Sequence, residues 1–172
     1  MEEPELVVVQ VVGVRRHPAV EEIVVLLLDA ESELVVPILI GPTEAGAIAA
    51  AQAGVVPPRP MTHDLLRDLL LAAGEQVVGV RITRLEEGVF HAEIELGNGR
   101  SVDARASDAI AVALRFGVPV RCSAEIVALA GVEVVVSDEP EGDPDEDVER
   151  FREFLDQVTP EDFETGKEPG AG

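Results

Sequence analysis

One order of predicted strands and helices occurs twice along the chain, and it constrains the fold more than any other feature. The first unit has three apolar strand-like segments before an alanine-rich helix that starts near Thr43, and they cover residues 6–15, 23–29 and 34–40. The second unit also has three apolar strand-like segments, at residues 77–85, 89–96 and 100–105. An alanine-rich helix near Ser107 follows them. A further helix follows in each unit, near Thr62 and near Ser123. The pattern predicts an α+β fold in which duplicated three-strand-plus-two-helix units pack as one compact domain.

The hydrophobic composition indicates an aliphatic core. Hydrophobic residues make up 47% of the 172 residues, whereas aromatic residues make up 3%, with no Trp and no Tyr. So few aromatic side chains argue against the modules that bind single-stranded nucleic acid by stacking bases on aromatic rings.

Charge divides the chain into two parts. The formal net charge is -21. Residues 1–137 contain 10 arginines and 20 acidic side chains, and residues 138–172 contain 3 basic and 14 acidic ones. We therefore predict a folded domain at residues 1–137 and an acidic, largely disordered tail at 138–172. Apolar residues at helical spacing predict a short amphipathic helix at 148–158 within that tail.

The location of the protein is predicted from what the sequence lacks. Cys122 is the single cysteine, which excludes an intrachain disulfide. The acidic first residues do not fit a signal peptide, and the longest aliphatic run, at residues 23–28, is too short to span a bilayer. We predict a cytoplasmic protein without a membrane partner.

The predicted helix start at Thr62 carries the first group of candidate functional residues. A helix N-terminus presents unpaired N–H groups that suit a phosphate. Arg59 and Thr62 could bind the substrate there, and His63 could act as a general base or acid beside Asp64. The alternative is an ordinary helix cap, in which Thr62 and Asp64 satisfy the backbone and His63 faces water.

A second group lies where a predicted strand meets the next helix. Asp103 and Arg105 share one face of that strand, and Ser107 and Asp108 follow at the helix start. Two carboxylates near an arginine could hold Mg²⁺ or Mn²⁺ against a phosphate, with Asp103 and Asp108 as the candidate metal ligands. The alternative is an Asp103–Arg105 ion pair beside a helix cap.

Several of these segments together resemble the bifunctional nuclease domain family. They are Arg-Pro-Met-Thr-His-Asp-Leu-Leu at residues 59–66, Val-Phe-His-Ala at 89–92, the stretch at 103–115 and Val-Pro-Val at 118–120. The resemblance covers residues 6–131. Ala106 stands where the family pattern has proline, which changes the stiffness of that loop.

The resemblance implies a compact α+β domain that associates as a homodimer, with degradation of DNA and RNA reported for plant relatives. It raises His63, Asp64, Asp103, Arg105 and Asp108 as site candidates. Together with the interpretation of the two helix starts, this gives His63, Asp64, Asp103 and Asp108 as catalytic candidates. The substrate-binding candidates are Arg59, Arg105, Thr62 and Ser107. The acidic composition favours another function, a non-catalytic homodimeric domain with a binding or regulatory role, because a negative domain repels nucleic acid. Both hypotheses stand at this point.

Overall fold

The computed structural model describes residues 4–16 and 21–133. Within them the elements are β1 (Leu6–Arg16), β2 (Ile23–Asp29), β3 (Leu34–Ile40), α1 (Pro42–Gln52), α2 (Thr62–Ala72), β4 (Val77–Glu86), β5 (Val89–Leu96), β6 (Ser101–Arg105), α3 (Ala106–Phe116), β7 (Val120–Ser123), α4 (Ala124–Ala130) and β8 (Val132–Glu133). Both predicted units therefore contain three strands followed by a helix, and the α+β fold class is confirmed. The predictions for residues 138–172 lie outside the described residues.

The two strand units join through β7 in one mixed sheet. The strand order is β6-β5-β4-β7-β1-β2-β3-β8. β7 pairs in parallel with β4 and antiparallel with β1, and its Arg121 lies opposite both Arg81 and Val8. All other strand pairs are antiparallel. The units differ at this point, because the first has only a connector between α1 and α2 where the second has β7.

The core lies between this sheet and the helices α1 and α3. α3 is buried along most of its length, and its alanines let it approach the strands closely. The largest fully buried side chains are aliphatic, as the composition predicts, and include Leu27, Ile48, Ile82 and Ile110. No helix in the described ranges is long and apolar enough to cross a membrane.

Three helices begin slightly earlier than their sequences predict. α1 begins at Pro42 rather than after Thr43, because proline is well suited to a first helical position, where no N–H is needed. α3 begins at Ala106 rather than after Ser107, because β6 runs directly into it through the extended residue Arg105. α2 begins at Thr62, so the residue that precedes it is Met61. These shifts decide which side chains reach the space between the helices.

Candidate active site

The first turns of three helices border one cavity. The cavity has a volume of about 470 Å³ and lies among the start of α1, the start of α2, the start of α3 and the connector at Val55 and Pro57. Each first turn contributes one acidic residue, namely Glu44, Asp64 or Asp108. Acidic side chains are favourable there because the N-terminal end of a helix carries partial positive charge.

His63 is the single buried residue of α2, and a carboxylate of α3 holds its ring. The Nε2 atom of His63 lies 2.9 Å from Oδ1 of Asp108. An ionised carboxylate only accepts hydrogen bonds, so Nε2 carries the proton and donates it to Asp108. In the neutral ring Nδ1 is then an acceptor, and within the described part of the chain Nδ1 has no hydrogen-bond partner. The arrangement leaves a base at the cavity with its tautomer fixed.

Arg105 connects this pair to α1. Its Nε donates to Oδ2 of Asp108 at 2.7 Å, and its Nη2 donates to Oε1 of Glu44 at 2.8 Å. The side chain of Arg105 is nevertheless 66% exposed. Three of the five guanidinium N–H groups are therefore left for other acceptors.

Arg115 holds the start of α2 against α1 and α3. Its Nε donates to Oδ1 of Asp64 at 2.6 Å, and its Nη1 donates to the backbone oxygens of Ala47 and Ala111 at 3.2 Å and 2.9 Å. The other oxygen of Asp64 accepts from the backbone N–H of Met61 at 3.0 Å. This cluster fixes the turn that carries His63.

The arginines keep the three carboxylates ionised. The hydrogen bond from Arg115 lowers the pKa of Asp64, and the one from Arg105 lowers the pKa of Glu44. Burial raises the pKa of Asp108, but the hydrogen bonds from Arg105 and His63 outweigh burial and hold that pKa below its usual range. Asp108, Glu44 and their hydrogen bonds raise the pKa of Arg105, which stays a cation at any working pH.

The cavity brings together five of the eight residues predicted from the sequence, namely Thr62, His63, Asp64, Arg105 and Asp108. The other three lie elsewhere. Arg59 is exposed in the connector before α2, Ser107 is buried within α3, and Asp103 is exposed on β6 opposite Glu93. Arg105 pairs with Asp108 and Glu44 and, among the described residues, forms no ion pair with Asp103.

The carboxylates of the cavity do not form a ready donor set for a metal. Residues 4–16 and 21–133 contain no cluster of three or more His, Cys, Asp or Glu side chains placed to hold a metal ion. Asp108 is engaged by His63 and Arg105, and Asp103 lies outside the cavity. The predicted Asp103–Asp108 pair therefore does not fit a shared Mg²⁺ or Mn²⁺ in this arrangement.

Sequence reasoning missed Glu44 and Arg115 as site residues. In the sequence, Glu44 is explained by the favourable position of an acidic residue in the first turn of a helix. Its partner Arg105 is 61 residues away. Arg115 lies in the last turn of α3, and its partner Asp64 is 51 residues away. The available signal was an arginine within a helix that is otherwise almost entirely apolar.

Comparisons with known proteins identify the family of the chain. The sequence model of the bifunctional nuclease domain matches residues 25–135, which include α1, α2, α3 and every residue of the cavity described above. An uncharacterised protein of Mycobacterium tuberculosis is 44% identical over 160 residues, which cover 90% of this chain and 96% of that protein.

Plant proteins are more distant relatives. Bifunctional nuclease 1 of Oryza sativa subsp. japonica is 29% identical over 126 residues, which cover 70% of this chain and 38% of that protein. Bifunctional nuclease 1 of Arabidopsis thaliana is 27% identical over 127 residues, with the same coverage of both chains. From the domain match and the similarity to the mycobacterial protein, the chain belongs to the bifunctional nuclease domain family.

Proposed function

We propose that this protein hydrolyses phosphodiester bonds of DNA, RNA or both at the cavity beside His63. The observation that carries the proposal is the pair of buried His63 with partly buried Asp108, next to the exposed guanidinium of Arg105. A histidine whose tautomer is fixed by a carboxylate is suited to proton transfer, and a guanidinium is suited to bind the oxygens of a phosphate. The plant relatives are named for nuclease activity, and the family membership supports the same function here.

In the proposed reaction, Nδ1 of His63 takes a proton from a water molecule as the water oxygen attacks phosphorus. The bond from phosphorus to the leaving sugar oxygen breaks, and the protonated imidazole gives its proton to that oxygen. Asp108 stabilises the imidazolium that forms in between. The unused N–H groups of Arg105 stabilise the negative charge on the phosphoryl oxygens.

The electrostatics of the domain set a condition on this function. Residues 1–137 carry twice as many acidic as basic side chains, so the surface as a whole repels a polyanion. Divalent cations in solution would reduce that repulsion, and a metal dependence therefore stays part of the proposal without a defined site. Activity should then rise with Mg²⁺ or Mn²⁺ by a weak, saturable screening effect rather than by tight binding.

Cleavage of labelled single-stranded DNA and RNA by the purified protein tests the proposal. The reactions are run with Mg²⁺, with Mn²⁺ and with a chelator, and each includes an Arg105→Ala variant and an Arg84→Ala control. Arg84 is exposed, and in the described part of the chain its ion pair is with Glu86. We expect wild type and Arg84→Ala to cleave and Arg105→Ala to lose at least about tenfold in rate. Equal rates for all three proteins would contradict the proposal.

The exposed face of α2 supports a second proposal, association with a second copy of this chain. Large apolar side chains of this helix are 38–60% exposed, namely Leu65, Leu66, Leu69 and Leu71. Met61 continues the same apolar surface at 65% exposure. Several exposed large apolar side chains on one helix are typical of an interaction site.

Charge favours a second copy as the occupant. Along α2, Arg67 pairs with Asp68 and Asp64 pairs with Arg115, so the helix carries little net charge although the domain is acidic. Two copies of this helix can therefore approach without the repulsion that other faces would produce. Because Met61 also lines the cavity, the homodimer contact would lie beside the active site.

Analytical ultracentrifugation of Leu69→Glu and Val89→Glu tests whether α2 forms the dimer contact. Val89→Glu is the control, since Val89 is an apolar residue that is 57% exposed on β5, away from α2. We expect a dimer for wild type and Val89→Glu and a monomer for Leu69→Glu. A monomeric wild type would contradict the proposal. A dimer that fails to cleave would favour the non-catalytic binding or regulatory function.

A further inference from the structure

The cavity has two chemically different walls. The charged wall consists of His63, Arg105 and Asp108 with their partners. The opposite wall is formed by α1, where Gly46, Ala47 and Ala50 border the cavity. A Cβ atom added to Gly46 would have no other heavy atom within 4 Å, so open space lies above this part of α1.

Apolar side chains enclose the α1 wall on its other side. Val55, Pro57 and Met61 line the cavity together with the small residues of α1. Together these small and apolar residues form an apolar slot within the cavity, which suits a planar ring system. A volume of about 470 Å³ is within the range of sites that enclose small molecules.

The ring of His63 is part of the same cavity lining. The side chain of His63 is 9% exposed and lines the cavity, and its Nε2 is used by Asp108. Among the described residues no group hydrogen-bonds Nδ1. In the neutral ring Nδ1 is therefore available as an acceptor for a molecule bound in the cavity.

We propose that the cavity binds one nucleotide, with its base in the apolar slot against α1 and its phosphate at Arg105 beside His63. This inference rests on the proposed function and names how the substrate is held. The carboxylates of Glu44, Asp64 and Asp108 face the same space, but each is paired with an arginine. The phosphate therefore meets the unused N–H groups of Arg105 rather than an unpaired negative charge.

Calorimetric titration with AMP, CMP and inorganic phosphate tests the inference. The variant Gly46→Leu fills the slot and retains the fold, because leucine favours a helix and no atom blocks its Cβ. Gly46→Met is a second variant of this kind with a more flexible side chain. Ala49→Leu is the matched control, since Ala49 is exposed on α1 outside the cavity lining.

We expect wild type and Ala49→Leu to bind both nucleotides at least about tenfold more tightly than phosphate, because the base adds buried apolar surface. In Gly46→Leu and Gly46→Met this preference disappears. Phosphate affinity equal to nucleotide affinity in wild type, or an undiminished preference in both Gly46 variants, would overturn the inference.

The same titrations distinguish this inference from the proposed function. Nucleotide binding that depends on Gly46, in a protein that cleaves no nucleic acid, supports the slot and refutes the hydrolase. Cleavage that depends on Arg105, in a protein whose nucleotide affinity does not depend on Gly46, supports the hydrolase and refutes the slot.

Discussion

The Nε2 atom of His63 on α2 lies 2.9 Å from Oδ1 of Asp108 on α3, and this contact joins the first turns of two helices 45 residues apart in sequence. It fixes which nitrogen of the neutral His63 ring is the acceptor. The chemistry proposed for the site depends on this relationship.

Replacing Asp108 by asparagine should slow cleavage with little change in fold. The amide keeps the size of the side chain but loses the charge that stabilises a protonated His63, so we expect a rate at least about 100-fold lower. Asp68→Asn is the control, because the ion pair that Asp68 forms among the described residues is with Arg67 on the surface of α2. Equal rates for Asp108→Asn and Asp68→Asn would show that Asp108 has no part in proton transfer.

Asp103→Asn tests whether Asp103 takes part in cleavage, as the sequence predicted, or is an uninvolved surface residue, as its position in the structure indicates. The sequence indicated Asp103 as a catalytic and metal-binding candidate, whereas its side chain lies outside the cavity on the exposed strand β6. From this placement we expect cleavage within about twofold of wild type at saturating Mg²⁺, since surface substitutions have small effects. A large loss of rate that higher Mn²⁺ restores would instead support a metal site at Asp103.

Arg115→Ala should destabilise the domain more than any substitution of an exposed arginine. The side chains of Arg115 and Asp64 are 7% and 14% exposed, so removing Arg115 leaves a nearly buried carboxylate unpaired. Breaking such a pair costs about 3 kcal/mol of unfolding free energy. Urea denaturation measures this cost, and Arg67→Ala, which breaks an exposed pair with Asp68, should cost less than about 1 kcal/mol.

Acid should remove the contribution of Asp64 to stability. The pKa of Asp64 is lower in the folded protein than in the unfolded chain, so this carboxyl stabilises the fold above about pH 4 and ceases to do so as the pH falls further. The variant Asp64→Asn should therefore be less stable than wild type at pH 7, and the difference should shrink towards pH 3. Urea titrations at several pH values measure this, and a difference independent of pH would contradict the role of the ionised carboxylate.

Cys122 provides a readout of the intact fold. Burial raises the pKa of its thiol to about 12, and the side chain is fully buried on β7. The thiol should not react with a disulfide reagent at pH 8 until the protein unfolds, because the reactive species is the thiolate. Fast labelling of the native protein would show that β7 opens readily from the sheet.

The sequence predicted local elements well because each has a short-range signal. Alternating or continuous apolar residues marked the strands, and the small polar residues near Thr43, Thr62 and Ser107 marked the helix starts to within two residues.

Long-range relationships could not be read in the same way. The parallel pairing of β7 with β4 brings Val80 opposite Val120, and no local pattern encodes that contact. Arg105 lies at the junction of β6 and α3, where strand alternation no longer determines the direction of its side chain. The grouping of Arg105 with Glu44 therefore appears only once the two helices are packed.

The most direct test of the proposed function compares two histidine variants in one cleavage assay. His63→Gln removes the proposed base. His91→Gln changes a histidine on β5 that lies outside the cavity, where its Nε2 is 3.7 Å from Oε2 of Glu86. With single-stranded DNA and RNA as substrates, we predict that His63→Gln is at least about 100-fold slower than wild type and that His91→Gln cleaves at the wild-type rate. Equal cleavage by wild type, His63→Gln and His91→Gln would contradict the assignment of the active site to this cavity.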